Sequence, residues 1–270
     1  MKNVLLLVHD DDGQEARYQT ALDLTRAIGG HLTCLDLAYV PPFPGCGCPE
    51  GAYAMAELMT EEVARESVNK GRLVARLAHE DVSWDWRDAK GEVVASLRKA
   101  ADWADVIVVS RHIDTSMIDM RRTTAELVVK SGKPVIAVPP TCDRLDLSSA
   151  LVAWDGSACA AKALKAAIPL LQKTDDVILF EALDGSIVTP AEDAAVYLSR
   201  HDVHASVRRM RCRQGDAADL LLRELKHPAL HRFGYVVLGG FGHDRFVEAV
   251  FGGVTRTMLT KSPVPVFLAH

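Results

Sequence analysis

A chain of 270 residues, 49% apolar and 25% charged, has the composition of a folded globular protein, which excludes the disordered and fibrous classes. Its net charge of -5 offers no basic face for nucleic acid, and no apolar run approaches the ~18 residues that a membrane-spanning helix needs. The opening stretch MKNVLLLVHDDD is too brief for a signal sequence, so a cytoplasmic location is expected, and the six scattered cysteines read as reduced thiols.

In chain order, an apolar strand-like run at 3–8 ends in His9, Asp10, Asp11 and Asp12. These acids are expected to cap the following helix, with cation coordination by His9 and the aspartates as the alternative. Gly29 and Gly30 suit the end of that helix, and a second strand is expected over 32–37. The stretch YVPPFPGCGCPEG cannot be helix or strand and reads as a surface loop leading into a long helix from about Ala54 to His79. Within it, Cys46 and Cys48 are close enough to share a soft metal or respond to oxidation. Two thiolates alone do not complete a zinc site, however. Strands near 82–86, 105–110 and 134–138 complete the first half.

The segment PPTCDRLDLSS then separates two similar halves, which places a boundary near Asp143 and gives units of 1–143 and 144–270. The second half repeats the order of the first. ALVAWDGS answers NVLLLVHDDD, QGDAADLLLRELKHPALHRFGYVVLGG answers KGEVVASLRKAADWADVIVVS, and MLTKSPVPVFLAH answers VVKSGKPVIAVPP. Strands are expected near 149–154, 176–182, 204–212, 234–239 and 264–269, with helices over Ala158–Leu171, Ala191–Arg200, Ala217–Leu225 and Arg245–Thr260. Alternating strands and helices of this kind make a parallel sheet covered on both faces, so two α/β domains are expected.

The stretch GGFGHDRFVEAVFGG at 239–253 follows a strand and opens a helix, a general way to present backbone N–H groups and a helix dipole to an anion. Neither a Walker loop nor a G-x-G-x-x-G fingerprint is present, because Arg245 stands where the third glycine of the latter would be. The spacing of Gly239, Gly242 and Gly252 instead resembles the nucleotide motif of the universal stress protein family, and VAWDGSACAAKALKAA and KSPVPVFLA are similar to that family's first and last elements.

The resemblance covers essentially the whole chain and implies the tandem type: two five-stranded α/β sandwich domains with strand order 3-2-1-4-5. It implies that ATP or ADP, with or without magnesium, sits in the second half, the adenine facing Asp155 and Ala182 and the ribose and phosphates held by Gly239, Gly242, Gly252 and Gly253. Gly253 replaces the Ser or Thr that the family places there, which removes one hydrogen-bond donor; Thr255 and Arg245 are the available substitutes. It also implies pairing of the two last strands, PVIAV beside PVFLA, as an intramolecular pseudo-dimer, with further homodimerisation left open.

In the first half the corresponding segment, SRHIDTSMIDMRRTTAELVVKSGKP, lacks the glycines. Arg121 and Arg122 stand at the places of Gly252 and Gly253 and are expected to crowd an adenylate, while Arg111 and His112 read as solvated charge with anion binding as the alternative. The resulting expectation is a stress-response or regulatory protein that binds an adenine nucleotide, with at most slow hydrolysis and an unknown protein partner. The alternatives are a tandem scaffold without physiological nucleotide, and a thiol or metal sensor acting through Cys46 and Cys48.

Overall fold

The computed structural model describes residues 1–39, 49–113, 118–227, 232–240 and 253–270. In the first half these form β1 (Asn3–Val8), α1 (Gln14–Ile28), β2 (His31–Tyr39), α2 (Pro49–Leu77), β3 (Ser83–Gly91), α3 (Val93–Ala100), β4 (Val106–Ser110), α4 (Met120–Ser131) and β5 (Val135–Val138). The second half supplies β6 (Ser149–Ala153), α5 (Ala158–Leu171), β7 (Asp176–Leu183), α6 (Ala191–Ser199), β8 (Ala205–Arg211), α7 (Ala217–Lys226), β9 (Tyr235–Gly239), α8 (Gly253–Lys261) and β10 (Val266–Ala269).

Local chemistry explains most boundaries. Gly29 ends α1 at φ 54°, a left-handed turn in which its N–H reaches back to the last carbonyls of the helix. Glu92, Asp119 and Ser157 begin α3, α4 and α5 by accepting backbone N–H groups of the first turn. The aspartates after β1 act one residue earlier: Gly13 precedes α1 without a side-chain cap, and the Asp11 carboxylate accepts the Gly13 N–H at 2.8 Å while pairing with the Arg17 guanidinium 2.7 Å away.

The third strand runs to Gly91 rather than stopping near residue 86, because β3 pairs with β2 along its whole length, from His31 opposite Ser83 to Tyr39 opposite Gly91. Its polar second half belongs to a sheet edge, where apolar runs are not required. The last helix begins among the described residues at Gly253, so the part of the expected Arg245–Thr260 helix that precedes it lies outside them.

All ten strands join one sheet in the order β3-β2-β1-β4-β5-β10-β9-β6-β7-β8, so each half has the order 3-2-1-4-5 and the sequence of strands reads alike from both ends. Pairs are parallel except at the centre, where β5 and β10 run antiparallel with Phe267 opposite Ile136. Helices cover both faces. Leu6, Val8, Leu22, Val152, Leu164 and Phe267 belong to one continuous buried core, and Leu5, Leu7, Val109, Leu151, Val236 and Met258 to the other. Each core spans both halves. Burying a side chain of this size contributes on the order of 1.5–3 kcal/mol, so the shared layers make the halves mutually dependent. The connecting segment is also anchored, since Leu145 is buried and its N–H donates to Asp23 of α1 at 3.0 Å.

Candidate functional site

Open parallel sheets bind ligands outside the carboxyl ends of their strands, where the winding direction reverses. In the second half that point lies between β6 and β9, which pair with Ala150 opposite Tyr235 and Leu151 opposite Val236. A cavity of about 250 Å³ opens there, and Asp155, Ala182, Gly239, Gly253 and Thr255 all line it. These five residues come from the loop after β6 and from β7, β9 and α8, far apart in sequence. Gly242, Arg245 and Gly252 lie outside the described residues, as do Cys46 and Cys48.

Each wall has a physical origin. Asp155 follows β6 and is exposed; one carboxylate oxygen accepts the Ser157 N–H at 2.9 Å, while Ser157 Oγ accepts the Ala160 N–H and starts α5. Between them Gly156 sits at φ 75°, and a Cβ there would lie 2.1 Å from the Thr189 nitrogen, so only glycine fits. The Trp154 indole N–H donates to the Thr189 carbonyl at 2.8 Å, which ties the strand end to the loop behind the cavity.

Gly239 is equally constrained. A Cβ there would stand 2.4 Å from the Ala160 nitrogen and 2.5 Å from the Cys159 carbonyl carbon, so the start of α5 packs directly on the β9 backbone. Gly253 differs: among the described residues nothing stands within 4 Å of its Cβ position. Gly253, Val254 and Thr255 of α8 line this side of the cavity.

The lining is divided by chemistry. Phe180, Leu221 and Leu238 give an apolar floor, and Asp155, Asp184, Ser157, Ser186 and the buried Thr255 supply polar groups. Among the described lining residues there is no Lys, Arg or His. Cys159 also lines the cavity, with Sγ 3.6 Å from His270 Nδ1; burial pushes its thiol pKa up, Lys162 acts against that and Asp155 adds to it. Sequence reasoning missed this thiol because it is one apolar-looking position inside a helical pattern. It is free, as are Cys34, Cys142 and Cys212.

The first half is built differently at the same place. Pairing of β1 with β4 sets Val4 opposite Val106, and counting along β4 and β9 from the equivalent pairs puts Ser110 where the second half has Gly239. Arg17 is fully buried and fills this crevice, donating to the Leu7 carbonyl at 2.7 Å, Ser110 Oγ at 2.6 Å and Asp11 Oδ1 at 2.8 Å. The expectation that Arg121 and Arg122 would do the crowding is corrected: Arg121 turns to Asp119 at 3.0 Å and Arg122 to Glu126 at 3.0 Å, both at the surface. Arg111 is not simply solvated either. It is half-buried, its guanidinium donates to the Ser262 carbonyl of the other half, and burial lowers its pKa.

No protein-family model matches the chain, and no curated protein does. Among solved structures, the chain is similar to a universal stress protein from Archaeoglobus fulgidus DSM 4304, with 16% identity and a TM-score of 0.67 over 99% of this chain and 95% of that one. It is also similar to a structure from Pseudomonas aeruginosa UCBPP-PA14 named for the same family, with 12% identity and a TM-score of 0.59 over 100% of this chain and 93% of that one. These likenesses establish a universal stress protein fold across the chain. No helix among the described residues is long and apolar enough to cross a membrane.

Proposed function

We propose that this chain, which has the universal stress protein fold, is a cytoplasmic stress-response or regulatory protein that binds ATP or ADP in its second half and leaves its first half as a structural partner. The observation that carries this reading is the cavity at the β6–β9 reversal, bounded by Asp155 and Ala182 on one side and by Gly239 and the start of α8 on the other. An adenine ring suits the apolar floor of Phe180, Leu221 and Leu238, and the phosphate chain runs along Gly239 and the α8 residues Gly253 and Thr255. The filled crevice around Arg17 supports a single nucleotide per chain.

The chain acts as a binding protein with at most slow hydrolysis. The bound nucleotide then acts by differential affinity, stabilising whichever conformation or partner complex holds it more tightly.

Calorimetric and thermal-shift titration of the full chain with ATP and ADP, each with magnesium, tests the reading. Micromolar binding that raises the melting temperature, and that is lost when Ala182→Trp fills the base side of the cavity, is the expected result. Absence of any rise at millimolar nucleotide overturns it and leaves a tandem scaffold that works through protein contacts.

A further inference from the structure

A second cluster lies in the first half, away from the nucleotide cavity. His9 follows β1, is 4% exposed, and presents its Nδ1 to three oxygens: Glu66 Oε1 at 2.9 Å, the Leu37 carbonyl at 3.3 Å and Glu62 Oε1 at 3.6 Å. Glu62 and Glu66 are four residues apart on α2, so both carboxylates project from one face of the helix. The three side-chain ligand atoms all lie within 4.8 Å of one another.

The remaining oxygens of the two glutamates are held from behind. Glu62 Oε2 is paired with Arg65, and Glu66 Oε2 accepts the Asn69 amide at 3.2 Å. Asn69 in turn exchanges two hydrogen bonds with Gln14 at 2.8 and 2.7 Å. The inner oxygens each take one backbone N–H, Tyr39 to Glu62 at 3.3 Å and Asp10 to Glu66 at 3.0 Å. Such outer partners fix the orientation of ligating carboxylates in metal sites.

A separate residue points the same way. Asp36, opposite Val8 in the sheet, is 5% exposed, and its Oδ1 has no hydrogen-bond partner. It lies on the sheet face that carries α2. A single proton on His9 Nδ1 can serve only one of the three oxygens around it. Arg65 offsets one glutamate from the exposed side, and the buried Asp36 Oδ1 is left without a donor, which is costly unless a cation lies nearby.

We propose that His9, Glu62 and Glu66, with the Leu37 carbonyl as fourth ligand, form a closed structural site for a divalent first-row transition ion of the zinc class. Tetrahedral zinc with bonds of ~2.1 Å separates its ligand atoms by ~3.4 Å, and the distances from Nδ1 to the three oxygens, 2.9–3.6 Å, bracket that spacing. The imidazole selects against magnesium and calcium, which prefer all-oxygen shells, and Asp36 adds negative potential without needing to ligate. The ion ties α2 to the carboxyl ends of β1 and β2, adding to the hydrogen bonds that Asp10 and Tyr39 donate to the same glutamates. The site does not depend on nucleotide binding.

The test uses the full chain produced without a histidine tag. Protein stripped with chelator is titrated with zinc, manganese and magnesium by calorimetry, alongside Glu66→Gln, His9→Gln and the double change Cys46→Ser/Cys48→Ser. The expected result is one equivalent of zinc, a raised melting temperature, no response to magnesium, and at least ~30-fold weaker binding in Glu66→Gln and His9→Gln, in keeping with loss of a ligand. The cysteine double variant binds as the wild type, and cobalt in place of zinc gives ligand-field bands without a thiolate charge-transfer band. No zinc uptake by the stripped protein overturns the proposal, and so does binding that survives Glu66→Gln or disappears with the two cysteines. Circular dichroism of each variant separates loss of ligand from loss of fold.

Discussion

The Arg17 guanidinium lies 2.7 Å from the Asp11 carboxylate, with the arginine side chain fully enclosed and the aspartate 6% exposed. This pair occupies the position where the second half keeps an open crevice. A buried pair is hard to replace one partner at a time, because the survivor is left charged and unsolvated. Arg17→Met is therefore expected to destabilise the protein by about 3–5 kcal/mol, and Arg17→Met with Asp11→Asn to recover most of that loss. Urea denaturation of the two variants checks it; equal stability of wild type and Arg17→Met would mean that the pair contributes nothing.

Gly253 offers the opposite kind of prediction. Among the described residues nothing lies within 4 Å of its Cβ position, so Gly253→Ser should fold as well as the wild type. Serine there places a hydroxyl at the cavity wall, and one neutral hydrogen bond contributes about 0.5–1.5 kcal/mol. Nucleotide affinity should tighten roughly 2- to 12-fold by the same principle. Calorimetry on both proteins decides the matter: unchanged or weaker affinity shows that the hydroxyl does not reach the phosphates.

Gly239 should tolerate nothing larger. The obstructing atoms are backbone, at 2.4 and 2.5 Å from an added Cβ, so α5 as a whole must move away from β9. Gly239→Ala is expected to cost about 1–3 kcal/mol as an overpacking change and to weaken nucleotide binding by shifting the wall that carries Ser157 and Cys159. Thermal denaturation and nucleotide titration of one variant read both effects. A stable variant with unaltered affinity would show that the strand and helix are not held in contact at this point.

The repeat made much of this arrangement legible in the sequence. Apolar runs ending in a helix pattern, twice in the same order, gave the strands, while the resemblance to the universal stress protein family implied the 3-2-1-4-5 order of each half and pointed to Asp155, Ala182, Gly239, Gly253 and Thr255, which line one cavity. What escaped reading was buried charge. Arg17 sits in a helical stretch where hydrophobic periodicity treats any arginine as a solvated position, and only the three-dimensional approach of Leu7, Ser110 and Asp11 turns it inward. Glu62 and Glu66 were hidden for the same reason, though their four-residue spacing is the one sequence signal that pairs them on a helix face. The extension of β3 past Trp86 was invisible because an edge strand needs neither alternation nor apolar content.

The central pairing of β5 with β10 makes a last prediction about how the halves depend on each other. Phe267 is 1% exposed and belongs to a core that includes Leu6 and Leu22 of the first half as well as Val152 and Leu164 of the second. Truncating it leaves a void that neighbours from two halves must close together. Phe267→Ala should cost about 3–5 kcal/mol. Because the loss falls on both halves, the chain should still unfold in one transition when followed by far-ultraviolet dichroism and by fluorescence of Trp84, Trp86 and Trp103, all in the first half, together with Trp154 in the second. Two separated transitions, with the first-half tryptophans unaffected by the substitution, would show instead that the antiparallel seam is a contact between independently stable units.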